Sequence, residues 1–139
     1  MTTAEKSRTP RMLDPFDILR STRALAPHDP KLNDMRWLIG EALRRLFQRA
    51  QVARVRMASE SATVALGKIH ECAGRAGPAA WPIVTRIVIE GAMVRDCRGF
   101  VPEFVSPWRA DAVVIDRLRV AMDMLGPLLG VASAEGTQG

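Results

Sequence analysis

Ser106-Pro107-Trp108-Arg109, with Arg95 and Arg98 before it and Arg117 and Arg119 after it, is the grouping in this sequence best suited to chemistry. A guanidinium is a planar fork of donors that fits phosphate oxygens and guanine edges. Ser106 can cap a helix that has Pro107 at its first position. Trp108 and Arg109 then fall on the first turn, where the N-terminal residues of a recognition helix reach base edges in the major groove of DNA. The expected roles are base readout for Trp108 and Arg109 and phosphate contact for Arg95, Arg98, Arg117 and Arg119. The plain alternative makes Trp108 a core anchor and Arg109 a surface charge. Val113 and Val120 fall on the outer face of the same helix, and two valines facing water point to a partner interface there, a second copy of the chain included.

Catalytic chemistry finds no comparable grouping. The chain has no P-loop and no G-x-G-x-x-G, and neither His28 nor His70 sits in a recognisable nucleophile–base arrangement. His70-Glu71-Cys72 has the right atoms for a metal but lacks a second ligand pair at zinc spacing. The expectation is no enzyme, no metal and no cofactor, with Cys72 a buried thiol beside a surface histidine.

Net charge is +5 across 139 residues, and it is unevenly placed. Residues 1–60 carry twelve Lys/Arg against seven Asp/Glu, whereas 61–139 carry eight of each. A predicted helix over 32–57, with Lys31 at its start, holds seven cations against Asp34 and Glu41, which equals the whole net charge of +5. Arg44, Arg45, Arg49, Arg54 and Arg56 on this helix are candidate phosphate contacts, since cations gain affinity for DNA by releasing its condensed counterions. A solvated charged face is the competing account, and the arginines spread over two flanks.

The elements that must position these groups read as helices throughout. Asp14 can cap a short helix with Pro15 at its first position, putting Leu13, Phe16 and Leu19 on one side. That side docks either on the chain's own core or on a partner. In 32–57 the apolar stripe is Met35, Leu38, Ile39, Ala42, Leu46, Ala50, Ala53 and Met57, and Gly40 allows a bend. A helix capped by Ser59 or Ser61 runs to about Gly74 with Val64, Ala65, Ile69 and Cys72 inward. The next begins near Pro78 or Pro82, buries Ile83, Val84, Ile87 and Val88, and breaks at Gly91. Residues 92–99 form a short amphipathic helix and 99–105 a turn. The last helix runs to about Leu125 with Val114, Ile115, Leu118, Ala121, Met122 and Leu125 inward.

The expected fold is all-α: a compact domain of about five helices over 13–129, ending in a helix-turn-helix-like unit at 82–125. Residues 1–12 read as a disordered N-terminus and 130–139 as a flexible tail. With no apolar leader and no run of 18 apolar residues, the expected location is the cytoplasm.

Four blocks in order carry a family resemblance: Asp14-Pro15-Phe16-Asp17-Ile18-Leu19, Gly40-Glu41-Ala42-Leu43-Arg44-Arg45 through Arg49-Ala50, Gly77-Pro78 with the apolar helix after it, and Trp108-Arg109-Ala110-Asp111-Ala112-Val113-Val114 through Leu118 and Leu125. Together they resemble a small bacterial domain-of-unknown-function family associated with helix-turn-helix regulators, including transcription regulators of prophage and gene-transfer-agent clusters. Ile18 stands where that family favours Trp, and Pro107-Trp108-Arg109 lacks the Lys of its motif near the last helix. The resemblance implies transcriptional control through double-stranded DNA. The leading expectation is therefore a sequence-specific DNA-binding regulator, an activator, acting as a homodimer. The competing readings are an adaptor contacting RNA polymerase or a second DNA-binding protein, and a small phage packaging (terminase-like) subunit.

Overall fold

A computed structural model of the chain describes residues 14–55 and 60–131. Leu13, Arg56 and Met57 lie outside the described residues, as do the side chains of Ala53 and Arg54 and the expected N-terminal and C-terminal tails apart from Gly130 and Val131. The described residues are helical and contain no strand: α1 Pro15–Ser21, α2 Pro30–Val55, α3 Glu60–Ala76, α4 Trp81–Val84 continuing as a wider turn over Thr85–Ile89, a 3-10 segment Val94–Phe100, and α5 Pro107–Leu125. No described helix is long and apolar enough to cross a membrane.

Local chemistry accounts for most boundaries. The Asp14 carboxylate accepts from the Phe16 and Asp17 N–H groups, with Pro15 at the first helical position. Asp29 accepts from the Leu32 N–H and does the same for α2. Gly77 stops α3 in the left-handed conformation, φ +87°, while its N–H bonds back to Ala73 O. After α4 the helix widens: the Glu90 N–H reaches Thr85 O, five residues back, and the Thr85 hydroxyl donates to the carbonyls of Trp81 and Pro82. Gly91, φ +74°, then turns the chain out.

α2 and α3 form a helical hairpin, and α5 packs across it together with α4 and the 3-10 segment. Leu43, Ile83, Ile87, Val114, Leu118, Met122 and Leu125 are fully buried where these elements meet. The stripes expected from spacing are refined. Leu43 belongs to the core of α2, whereas Leu38 is exposed, and Val64 is exposed on α3. Each excluded residue sits roughly a quarter-turn or more from the buried line of its helix.

The segment 82–125 is not built as two α-helices joined by a tight turn. Its middle element is the 3-10 segment, begun by the Asp96 carboxylate accepting from the Met93 N–H at 3.0 Å. Six residues, 101–106, connect it to α5. Arg98 fixes the join by donating through Nε and Nη2 to the two oxygens of Asp111, at 2.7 and 2.9 Å.

Phe16 is an internal anchor of α1. Its ring is fully buried and Leu19 is 9% exposed, which corrects the reading of these two residues as a partner surface. An edge of the ring meets α2 where Gly40 has no side chain: a Cβ at Gly40 would clash with Phe16 Cε2 and Cζ. Gly40 therefore serves close approach rather than a bend.

Two outcomes are expected. Gly40→Ala gains helix propensity of about 1 kcal/mol but overpacks the Phe16 site at a cost of about 1–3 kcal/mol. A net loss should appear in urea unfolding, and a variant as stable as the parent would remove the close approach from the account. Asp111, held below the ordinary carboxylate range by the Arg98 hydrogen bonds, makes a pH-linked contribution. A depressed folded-state pKa stabilises above the unfolded value, about 4, and that contribution is lost as pH falls through the lower native value. Asp111→Asn should flatten the stability profile below about pH 4, as read by unfolding at a series of pH values.

Candidate functional site

α5 presents its first turn to solvent. Ser106 precedes it in extended conformation, and its side chain makes no capping bond. Trp108 is 71% exposed, so it is not a core anchor, and Arg109 beside it is exposed as well. The Arg109 guanidinium lies 5.8 Å from the centre of the Trp108 ring, within cation–π range. Val105, immediately before the cap, is 90% exposed. Free N–H groups at a helix N-terminus and the positive end of the helix dipole favour an anion near this turn.

Four of the expected phosphate contacts are instead taken up by the fold. Arg44 donates to Glu41 at 2.5 Å, Asp14 at 2.8 Å, Asp17 at 3.4 Å and the Val88 carbonyl at 2.8 Å. Burial disfavours its charge, yet the bonds to Glu41 and Asp14 outweigh that and raise its pKa. Arg98 is engaged with Asp111, as described. Arg119 donates twice to the Ala24 carbonyl, at 2.9 and 2.6 Å, and so ties α5 to the turn after α1. Arg117 makes a longer contact, 3.5 Å, with Glu103. Each of these guanidiniums has at least part of its donor set committed inside the fold.

Arg45 and Arg49 on α2 and Arg95 on the 3-10 segment are exposed. They stand on different elements and form no single stripe with Arg109. The α2 pair is four residues apart on one side of that helix. Arg36 forms a bidentate pair with Asp123 at 2.8 and 2.6 Å and donates to the Leu25 carbonyl, locking α2 to α5.

Of the partner-interface valines, Val120 is 50% exposed, whereas Val113 is half-buried against the core, which corrects its placement on the outermost face. The excursion is small, because Val113 sits on the flank where α5 begins to turn inward. Asp116 lies on the outer face, exposed, between the first turn and Val120.

The remaining reactive groups are quiet. Cys72 and Cys97 are free and buried, and burial pushes both thiols up, Cys97 to about 11. A cleft of about 530 Å³ lies between α1 and the start of α2. Its aromatic wall is already occupied: the Arg20 guanidinium stacks 4.0 Å over Trp37, and the Trp37 indole donates to Asp17 at 2.9 Å.

No family model, curated protein or solved structure matches this chain.

Proposed function

We propose that this chain is a sequence-specific DNA-binding transcription regulator acting in the cytoplasm, an activator of prophage or gene-transfer-agent-like genes. The observation that carries this reading is the first turn of α5. There Trp108 and Arg109 stand exposed on a 19-residue helix whose opposite face is fixed in the core. A rigid helix with an aromatic and an uncommitted guanidinium at its N-terminus has the parts for base-edge contact in a major groove. Arg45, Arg49 and Arg95 remain as candidates for the salt-sensitive phosphate term. The family resemblance of the four sequence blocks supports the same reading.

An adaptor that contacts RNA polymerase or another DNA-binding protein is the second reading. Val105 and Asp116 favour it, because an apolar side chain 90% exposed and a carboxylate share the neighbourhood of Arg109. A carboxylate repels phosphate and suits a protein surface.

Binding of the full chain to duplex DNA across a salt series separates the two. Direct phosphate contact gives an affinity that falls steeply and log-linearly with salt; absence of binding at low salt favours the adaptor. At a site mapped on the genome, Arg109→Ala is expected to weaken binding by about 1–3 kcal/mol while leaving random duplex nearly unaffected. Equal affinity of variant and parent at fixed salt would remove Arg109 from readout.

A further inference from the structure

The outer face of α5 carries opposite charges that pair with nothing among the described residues. Arg109 and Asp116 are both exposed, and among the described residues neither makes an ion pair. At 100° per residue Arg109, Asp116 and Val120 fall within about 40° of one another, on the side away from the core. Arg109 and Asp116 are separated by about 10 Å along the axis, too far to meet. The same face holds the small Ala112 between them, exposed, with Val120 about one turn beyond Asp116.

Such a face is complementary to itself. If two copies of α5 cross antiparallel with Ala112 of one opposite Val113 of the other, Arg109 of each copy comes level with Asp116 of the other. The pairing is reciprocal, as a two-fold interface requires. No acid then faces an acid and no base a base among these residues. Ala112 allows the axes to approach to the 8–10 Å usual for packed helices. A parallel arrangement would set Arg109 against Arg109, so the charges also select the direction.

We propose that the outer face of α5 around Ala112 is a self-association surface, on which Arg109 of each copy pairs with Asp116 of a second copy. Val120 adds an exposed apolar side chain to that face. Self-association rests on this geometry alone. One consequence rests also on the DNA reading: the pair covers Arg109, so DNA and the second copy compete for the same guanidinium, and the dimer is the form that does not read DNA.

Charge reversal tests the interface directly. The full chain should sediment at low salt with twice the mass of one chain. Arg109→Glu and Asp116→Arg should each weaken the dimer about tenfold or more, while the double variant Arg109→Glu with Asp116→Arg should restore it. Both positions are exposed, so unchanged circular dichroism will show that the single variants fold. A parent chain that stays monomeric, a larger ring, or a double variant as weak as the singles would overturn the proposal. A 20-base-pair duplex carrying the genome-mapped site separates the consequence. The parent chain should bind it less well, per chain, above the concentration at which it dimerises than below it. A dimer that binds this duplex as well as the monomer does would refute the competition. Failure of every form to bind it would count against the DNA reading and the competition, while the sedimentation result decides self-association by itself.

Discussion

The Arg44 guanidinium is the constraint on which the assembly of the first half depends. It stands at the junction of three elements and bonds to Asp14 at the cap of α1, to Asp17 within α1, to Glu41 on its own helix, and to the carbonyl of Val88 where α4 widens. It also lies 5.2 Å over the Phe16 ring. Taking a cation this far from water is unfavourable by itself. Three carboxylates and a carbonyl offset that cost, and so Arg44 and its partners hold one another in a single arrangement. The same contacts explain why Asp14 does two jobs, capping α1 and fixing its angle to α2, and why the Phe16 ring must rest on the bare backbone at Gly40.

That network also shows which parts of the fold were legible in the chain. Caps are local, so Asp14-Pro15 could be read from neighbours two or three residues away. The buried lines of α4 and α5 could be read from periodicity, and Leu118, Met122 and Leu125 lie where spacing puts them. Arg44 could not be read, because Asp14 and Val88 are far from it in sequence, and an arginine beside Arg45 looks like one more surface cation. Phe16 and Gly40 were ambiguous for the same reason: a glycine under a ring is indistinguishable, in one dimension, from a glycine at a bend. The widened turn over Thr85–Ile89 was hidden too, because the hydroxyl that disturbs the ladder there resembles any β-branched side chain on an apolar face.

The candidate site was legible in type and less so in membership. An arginine-rich composition suggested a field of cations for a phosphate backbone. Arg36, Arg44, Arg98 and Arg119 are instead the fasteners of the fold, joining α2 to α5, α1 to α2, the 3-10 segment to α5, and α5 to the turn after α1. Guanidinium suits that work because its several donors can satisfy carbonyls and carboxylates on two elements at once. The chain remains basic overall, but these four described arginines are committed within the fold, and the exposed Arg45, Arg49, Arg95 and Arg109 stand on three different elements.

What remains at the first turn of α5 is a small site with a divided character. Trp108 and Arg109 favour an anionic or aromatic partner, while Asp116 and Val120 on the same helix favour a protein. Seven residues separate the two charges, which is two turns: close enough to share a face and too distant to neutralise each other. A helix that needed only to lie in a groove lined by phosphates gains nothing from a carboxylate at that position, and one that needed only a dimer seam would gain from a continuous apolar stripe in place of Arg109. Both groups are accounted for together if the face is shared between two occupants. Arg109 is then the residue both require, and Asp116 is the residue that distinguishes them, attracting a second copy and repelling nucleic acid.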